Sequence, residues 1–267
     1  MILEEIAEKT KGRIQEKKLS IPIEGLRQEA YRIAEEEKES RGFTFPFEQA
    51  LAKPGISFIC EVKKASPSKG VIAKKFPYTK IAEEYELAGA DALSVLTEPF
   101  YFQGRDEYLR EIAAQRNIPI LRKDFTIDSY MLYEAKIMGA SAVLLICAIL
   151  TDEQLREYMQ IAEELGLSAL VEAHTEEEVR RAAACGRRII GVNNRDLKTF
   201  QVDIRTSERL RSMIPDSVLY VSESGIKTPQ DVKRLKDNKT DAVLIGETLM
   251  RSPDKKQMLE QLRGKRS

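Results

Sequence analysis

The sequence predicts a (β/α)8 barrel preceded by a helical extension. From about residue 56 onward, short runs rich in Val, Ile and Leu alternate with amphipathic segments, which is typical of parallel strands joined by crossover helices. Eight strand candidates follow one another in this way. An open doubly wound sheet usually has fewer strands and an early glycine-rich fingerprint, and neither G-x-G-x-x-G nor G-x-x-x-x-G-K-[ST] occurs in the chain. The count therefore favours a closed barrel.

Each predicted strand is a short apolar run bounded by turn or capping residues. The eight runs are 56–64, 92–97, 118–125, 142–150, 168–173, 188–194, 217–224 and 241–247. Helices are predicted over 78–90, 129–140, 151–166 and 175–186, with capping residues such as Thr151 and Thr175 at their starts. Segments 88–96, 138–146 and 240–246 repeat the same passage from helix end to strand, so each indicates one βα unit.

The first 55 residues contain no strand candidate. Two amphipathic stretches, 2–18 and 23–40, predict helices, and 43–55 is punctuated by Pro and Gly as a connector would be. We therefore expect residues 1–267 to form a single barrel domain, with residues 1–55 as an N-terminal helical extension and connector packed on it.

Composition and charge exclude several classes of function. Lys plus Arg and Asp plus Glu each total 43, so no overall positive charge exists to attract nucleic acid or a membrane surface. No apolar run approaches the length of a membrane span, and the charged N-terminus does not resemble a signal peptide. We expect a cytoplasmic protein, with three scattered cysteines that form neither a disulfide framework nor a metal site. A single histidine, His174, argues against a His-based triad or a multi-His metal centre.

Polar residues at the ends of five predicted strands indicate an active site. Because successive side chains of a strand point to opposite faces, each of these residues shares a face with an apolar or small residue two positions earlier. The pairs are Ile59 and Glu61 (followed by Lys63), Leu121 and Lys123, Leu170 and Glu172, Gly191 and Asn193, and Val221 and Glu223. Active sites of such barrels lie at the C-terminal ends of the strands, so the set predicts a pocket for general acid–base chemistry. The alternative is a buried ion-pair network in the upper layers of the barrel.

Glycines after the last two strands indicate an anion site. Ser224 and Gly225 follow strand seven, while Gly246 and Glu247 follow strand eight. Barrels often bind phosphate at these loops through backbone N–H groups. Ordinary turns are the alternative interpretation.

Seven motifs together resemble the indole-3-glycerol-phosphate synthase family, the barrel enzymes of tryptophan biosynthesis. In chain order they are EVKKASPSKG (61–70), VLTEPFYFQG (95–104), PILRKDF (119–125), LVEAH (170–174), IGVNNRDLKTF (190–200), VSESGI (221–226) and VLIGETLM (243–250). The resemblance covers nearly the whole chain. It implies a lyase that converts 1-(2-carboxyphenylamino)-1-deoxyribulose 5-phosphate to indole-3-glycerol phosphate, losing carbon dioxide and water, with no metal or cofactor.

The resemblance also implies roles for individual residues. Lys123 corresponds to the principal general acid, Glu172 to the carboxylate that acts in the dehydration, and Lys63 to a second catalytic lysine. Glu61 corresponds to the residue that orients Lys63, Glu223 lies beside the catalytic carboxylates, and the substrate contacts implied are Asn193, Arg195 and Ser66. The anthranilate ring is implied to lie between Phe102 and Phe125, with Leu144 and Leu145 as further walls. The phosphate cradle is implied at Ser224, Gly225, Gly246 and Glu247.

Two alternatives to this activity stay open. Lys123 could instead act as an amine in a Schiff-base aldolase, or the barrel could be a scaffold without activity. We expect His174 to have a surface or hydrogen-bonding role rather than to act as a base. We expect a small-molecule phosphosugar substrate carrying anthranilate, and a monomer or weak homo-oligomer.

Overall fold

Eight parallel strands close into a barrel in the computed structural model, which describes residues 2–186, 188–196 and 199–264. The strands are β1 (Ser57–Val62), β2 (Ala92–Leu96), β3 (Ile120–Lys123), β4 (Ala142–Ile146), β5 (Ser168–Ala173), β6 (Ile189–Asn193), β7 (Leu219–Glu223) and β8 (Ala242–Ile245). Each strand pairs with the next, and β8 pairs with β1, so the sheet has no free edge. The predicted fold class is confirmed. Positions 197 and 198 of the IGVNNRDLKTF motif lie outside the described residues.

Helices cover the outside of the barrel and the two mouths. They are α1 (Ile2–Ser20), α2 (Ile23–Arg41), α3 (Pro46–Leu51), α4 (Tyr78–Leu87), α5 (Asp106–Gln115), α6 (Tyr130–Ile137), α7 (Asp152–Glu164), α8 (Glu176–Ala184), α9 (Arg205–Leu210), α10 (Pro229–Asp237), α11 (Glu247–Arg251) and α12 (Lys255–Leu262). Thr151 and Thr175 accept the predicted capping hydrogen bonds from the backbone of Gln154 and Glu178.

Seven of the eight predicted strands end one to four residues earlier than the sequence indicated, and β4 and β8 show two reasons for it. The run 142–150 becomes β4 followed by a 3-10 turn, Cys147–Ile149. The run 241–247 stops at Ile245, because Gly246 and Glu247 turn into α11. In the first case the apolar run continues past the last residue of the strand, so composition alone could not mark the end of β4. In the second, the apolar run itself ends at Ile245, and the prediction extended past it.

The strands present two different apolar faces. Ile59, Leu121, Leu170 and Val221 belong to one buried cluster, inside the barrel. Their neighbours in sequence, such as Phe58 and Val171, belong to a second cluster between the strands and the helices. The predicted alternation is confirmed, and the polar residues two positions farther along these strands therefore point into the barrel. Leu145 belongs to the outer cluster, so its predicted role as a wall of the pocket is wrong.

The predicted connector 43–55 contains a helix that closes one mouth of the barrel. The side chains of Phe47 and Leu51 on α3 are fully buried in the interior cluster, beside residues at the start of the strands. The hydroxyl of Ser57, the first residue of β1, donates to the carbonyl oxygen of Ala50 at 3.0 Å. Pro46 stands at the first turn and apolar residues recur three and four positions apart, which are helix signals over too short a range to stand out.

Helices α1 and α2 pack against the barrel, as predicted for the extension. Ala30 and Ala34 of α2 are buried in the outer cluster, and Lys136 of α6 forms an ion pair with Glu37 of α2 at 2.8 Å. Three residues near the start of α1, Ile2, Leu3 and Ile6, reach the cavity at the other mouth of the barrel.

Candidate active site

A cavity of about 650 Å³ occupies the C-terminal mouth of the barrel. Apart from Leu145, the site residues predicted from the sequence all line it: Glu61, Lys63, Ser66, Phe102, Lys123, Phe125, Leu144, Glu172, Asn193, Arg195, Glu223, Ser224, Gly225, Gly246 and Glu247. Period-two alternation brings the charged groups together, because each is the last or next-to-last inward-facing residue of its strand. The strand-end residues therefore converge on one space, as expected of a barrel active site.

Lys123, at the end of β3, lies between two buried carboxylates. Its Nζ atom is 3.1 Å from Glu172 Oε2 and 3.6 Å from Glu223 Oε2. Burial alone would lower the pKa of Lys123, but the charges of Glu172 and Glu223 outweigh it and raise the pKa above its ordinary value. Lys123 is therefore an ammonium group at neutral pH, a proton donor rather than a free amine.

The two carboxylates beside Lys123 have opposite electrostatic environments. Burial would raise the pKa of Glu172, but Lys123 and His174 reverse this and lower it. Burial and the neighbouring charge of Glu172 raise the pKa of Glu223 to about 8. In addition, Glu223 Oε1 is buried without a hydrogen-bond partner. One carboxylate is thus ionised at neutral pH while the other tends to hold a proton, the kind of separation that acid–base catalysis requires.

Glu61 of β1 forms an ion pair with Lys63, the residue after the strand, and this pair needs a glycine opposite it. A Cβ atom at Gly246 would lie 2.2 Å from Glu61 Oε1 and 2.8 Å from Lys63 Nζ. Glu223 also needs a glycine opposite it, on β6, because a Cβ atom at Gly191 would lie 2.3 Å from Glu223 Oε1. These glycines make room for charged groups on the neighbouring strand, a use that the sequence does not reveal because the residues in contact are far apart in the chain.

Phe102 and Phe125 form one apolar wall rather than the predicted sandwich. Their ring centroids are 6.0 Å apart with an angle of 40° between the rings, a spacing typical of rings in direct contact. No third ring fits between them in this arrangement, so the sandwich prediction is wrong. Leu144 continues the wall from the interior of the barrel, and Ile2, Leu3 and Ile6 of α1 extend it, a contribution that was not predicted.

The loops after β7 and β8 face the opposite side of the cavity. Ser224 and Gly225 both have positive φ angles, 67° and 85°, so consecutive residues adopt the left-handed conformation. Asn194 holds this loop from below, since its Nδ2 atom donates to the carbonyl oxygen of Ser224 at 3.0 Å. Glu247 directs its carboxylate to Arg251 at 3.0 Å.

Asn193 and Arg195 reach the cavity from the end of β6. The Oδ1 atom of Asn193 accepts the backbone N–H of Arg195 at 3.1 Å, and the Arg195 guanidinium donates to the carbonyl oxygen of Phe200 at 3.1 Å. Ser66 belongs to a small hairpin, in which Ala65–Ser66 pairs with Gly70–Val71. Within residues 2–186, 188–196 and 199–264, no group of three or more His, Cys, Asp or Glu side chains is arranged to hold a metal ion.

Comparison with known proteins decides the family. The family model described as indole-3-glycerol phosphate synthase matches residues 3–262. The chain belongs to the indole-3-glycerol-phosphate synthase family. It is therefore a decarboxylating carbon–carbon lyase of tryptophan biosynthesis, and the resemblance that the seven motifs indicated is confirmed.

Relatives in the indole-3-glycerol-phosphate synthase family are similar to this chain over their full length. The enzyme of Ruminiclostridium cellulolyticum is 52% identical over 264 residues, covering 99% of each chain. That of Lachnoclostridium phytofermentans is 50% identical over 268 residues, covering 98% of this chain and 99% of the relative. Within the part of the chain that the structure describes, no helix is long and apolar enough to span a membrane.

Solved barrels outside the indole-3-glycerol-phosphate synthase family share the fold alone. A 3-hexulose-6-phosphate synthase superposes with a TM-score of 0.62 at 12% identity, covering 79% of this chain and 100% of the other. A chain of the tryptophan synthase complex of Pyrococcus furiosus gives a TM-score of 0.59 at 15% identity, covering 78% of this chain and 98% of the other.

Two groups that support the synthase site were missed by the sequence analysis. The first is Glu98, a fully buried carboxylate at the end of β2 that accepts the backbone N–H groups of Phe100, Tyr101 and Phe102 at 2.8, 2.8 and 2.9 Å. It therefore fixes the loop that carries the Phe102 ring. Its position directly after a strand was the available signal, but its side chain serves the loop and not the pocket.

The second is an ion-pair network under α1. The guanidinium of Arg13 donates to both carboxylate oxygens of Asp124 at 3.0 Å, and Asp124 lies between Lys123 and Phe125. Arg122, on the outer face of β3, pairs with Asp106 and Glu134 at 3.1 Å. Lys17 of α1 pairs with the same two carboxylates, so the extension is tied to the residues on either side of Lys123.

Proposed function

We propose that the chain closes the indole ring with Lys123 as the general acid. The substrate is 1-(2-carboxyphenylamino)-1-deoxyribulose 5-phosphate, and the products are indole-3-glycerol phosphate, carbon dioxide and water. The observation that carries the assignment is the position of the Lys123 ammonium, 3.1 Å from Glu172 and 3.6 Å from Glu223, inside a cavity with an apolar wall and a glycine-rich anion side.

In the first step, the ring carbon that bears the carboxylate attacks the ribulose carbonyl carbon. The carbonyl oxygen gains negative charge and takes a proton from Lys123, whose raised pKa keeps the proton available until that charge develops. The carbon–carbon bond to the carboxylate then breaks, and its electrons restore the aromatic ring. Lys63, paired with Glu61, is suited to bind the substrate carboxylate up to that point.

The second step removes water from the new ring. The hydroxyl group leaves as water after taking a proton from an acid, and a base removes a proton from the adjacent carbon. Glu172 is the base, because its lowered pKa keeps it ionised at neutral pH. Glu223 has a pKa of about 8 and lies next to Lys123 Nζ, so it is suited to return a proton to the lysine between steps.

Binding groups surround these acids and bases. The backbone N–H groups of Ser224, Gly225, Gly246 and Glu247 are assigned to the phosphate, with support from the left-handed turn at Ser224 and Gly225. Phe102, Phe125 and Leu144 are assigned to the anthranilate ring, and Ser66, Asn193 and Arg195 to polar groups of the substrate.

The ionisation state of Lys123 argues against the aldolase alternative. A Schiff base requires a neutral amine, and a lysine held between two carboxylates with a raised pKa does not supply one. Borohydride treatment in the presence of substrate checks this point. We expect no stable adduct, and a substrate-dependent adduct on Lys123 would refute the general-acid assignment.

The direct test is a fluorescence assay for indole-3-glycerol phosphate. We expect product with the wild-type chain and a loss of kcat of at least about a hundredfold in Lys123→Ala, since general acid catalysis contributes roughly 10²- to 10⁴-fold. Lys233→Ala, on the exposed face of α10, serves as the matched control and should keep full activity. Near-normal turnover by Lys123→Ala would contradict the proposed role.

We also propose a cytoplasmic location and a monomer or weak homo-oligomer. Cys60 and Cys147 are buried free thiols, which suit a reducing compartment. Light scattering during gel filtration over a range of concentrations tests the assembly state, and a stable complex larger than a dimer at low concentration would contradict it.

A further inference from the structure

His174 joins two carboxylates directly beside the reaction cavity. Its Nε2 atom lies 3.3 Å from Glu172 Oε1, and its Nδ1 atom lies 3.2 Å from Glu178 Oε2. Its side chain is only 10% exposed, so the surface role expected from the sequence is wrong. The hydrogen bond between Nδ1 and Glu178 bears out the expected hydrogen-bonding role. The other oxygen of Glu172 faces Lys123 Nζ. A continuous line of alternating charge therefore runs from Glu178 through His174 and Glu172 to Lys123, and it ends in the cavity.

The far end of this line is anchored by the start of α8. Glu178 Oε2 also accepts the backbone N–H of His174 at 2.7 Å, while the backbone N–H of Glu178 donates to the hydroxyl of Thr175 at 3.2 Å. The carboxylate of Glu178 is thus fixed in the first turn of the helix, where negative charge is favoured. The imidazole cannot turn away from Glu172 without also losing Glu178.

Other titratable groups packed around the ring do not compete for it. Cys147, from the turn after β4, points its thiol to the carbonyl oxygen of Glu178. Arg181 of α8 is bound to the carboxylate of Asp152 and to two backbone carbonyl oxygens. Each ring nitrogen of His174 thus faces one carboxylate oxygen, an arrangement that favours the doubly protonated imidazolium. Burial alone would lower the pKa of His174, but Glu172 and Glu178 outweigh it and raise the pKa to about 10.

The charge of His174 bears on which carboxylate acts as the base. Glu172 and Glu223 both lie within 3.6 Å of the same ammonium group, so Lys123 alone distinguishes them weakly. Glu172 has the imidazole Nε2 atom 3.3 Å from its second oxygen, a charge contact without hydrogen-bond geometry, whereas the corresponding oxygen of Glu223 is buried without a hydrogen-bond partner. A positive charge on one side of the pair stabilises the ionised form of the nearer carboxylate and leaves the proton on the other.

We infer that His174, held by Glu178, is a positioning residue that fixes the orientation and the ionised state of Glu172 and thereby selects it over Glu223 as the base. This inference rests on the proposed function of Glu172 in the dehydration. His174 does not line the cavity, and it acts through the carboxylate that it holds.

The test combines a pH profile with a spectrum that does not depend on activity. His174 is the only histidine in the chain, so ¹⁵N NMR of the full-length protein shows one imidazole. We expect it to remain doubly protonated up to about pH 8, well above the ordinary pKa of roughly 6.5. In Glu178→Gln, which keeps an oxygen acceptor but removes the charge, the ring should lose its proton at a pH about one unit lower or more.

In the kinetic part, His174→Gln removes the charge and keeps a side-chain donor. We expect kcat to fall about tenfold at pH 7, with KM changed less than about twofold, and the loss to grow toward about pH 5 as Glu172 becomes protonated. Glu176→Gln, at an exposed position of the same helix, is the matched control and should follow the wild-type profile.

Two results would overturn the inference. One is a wild-type imidazole that titrates near its ordinary pKa. The other is a pH profile of kcat in His174→Gln that runs parallel to the wild-type profile, which would indicate a structural role only. If the chain makes no indole-3-glycerol phosphate at all, the proposed function fails, and the NMR measurement still reports on the imidazolium. If His174→Gln does not fold, the spectra of the wild type and Glu178→Gln decide the matter.

Discussion

Replacing Gly246 with alanine should disable the β1 ion pair while leaving the barrel folded. The added Cβ would lie 2.2 Å from Glu61 Oε1 and 2.8 Å from Lys63 Nζ, and ordinary contact begins at 3.4 Å. The Glu61 carboxylate must therefore retreat by 3.4 minus 2.2, or 1.2 Å. Its side chain is only 5% exposed, so this movement displaces Lys63 or the atoms packed around it.

A displacement of about 1 Å in a catalytic group can cost roughly a hundredfold in rate. We therefore expect kcat/KM for indole-3-glycerol phosphate formation to fall about a hundredfold in Gly246→Ala, which corresponds to about 2.7 kcal/mol of transition-state stabilisation. Steady-state kinetics by product fluorescence measure the loss, and thermal unfolding monitored by circular dichroism checks that the fold is retained.

Gly12→Ala is the matched control, because Gly12 lies within α1 and a Cβ there meets nothing within 4 Å. That variant should keep full activity and gain up to about 1 kcal/mol in stability from the higher helix propensity of alanine. A Gly246→Ala enzyme with kcat/KM within about threefold of the wild type would refute the reasoning, since it would mean that the position of the Glu61–Lys63 pair does not matter to the reaction.

Two further predictions concern buried carboxylates. Glu98→Ala should raise KM by about tenfold or more, with a smaller change in kcat. The reason is that three backbone N–H groups lose their acceptor, so the loop that carries Phe102 loses its fixed conformation. An unchanged KM would show that the loop holds its shape without Glu98. Glu223 has a folded-state pKa of about 8, above its unfolded value. The folded protein therefore keeps a proton that the unfolded chain releases, so the free energy of unfolding falls as the pH rises from the unfolded pKa toward 8. Glu223→Gln should remove that loss, so its free energy of unfolding relative to the wild type should increase between about pH 5 and pH 8, by on the order of a few kcal/mol in urea titrations. A difference that stays constant with pH would show that Glu223 is ionised in the folded protein.

Much of the site was predictable because strand geometry is regular. Lys123, Glu172 and Glu223 stand two residues beyond apolar residues that fill the barrel, and a period of two fixes the face on which they lie. The closed order of the strands then brings their ends to one mouth. Neither step requires knowledge of contacts between distant parts of the chain.

The features that were missed depend on such distant contacts. Gly191 and Gly246 read as ordinary strand and turn glycines until the carboxylates opposite them are placed. The Phe102 and Phe125 rings were expected to enclose a third ring, but the backbone around Glu98 and Asp124 sets them 6.0 Å apart. The helix over Pro46–Leu51 was hidden because its burial comes from the barrel interior and not from its own short pattern.

The bond between Arg13 and Asp124 also bears on the order in which the protein folds. It joins residues 111 positions apart, and contacts of such long separation form late because closing a long loop costs entropy before the contact can stabilise it. Helix α1 has no docking surface until β3 and the helices beside it have assembled. We therefore expect the barrel to acquire its shape before its activity, with the cavity gaining the Ile2, Leu3 and Ile6 wall in the last step of folding. In a refolding experiment, circular dichroism should recover before turnover.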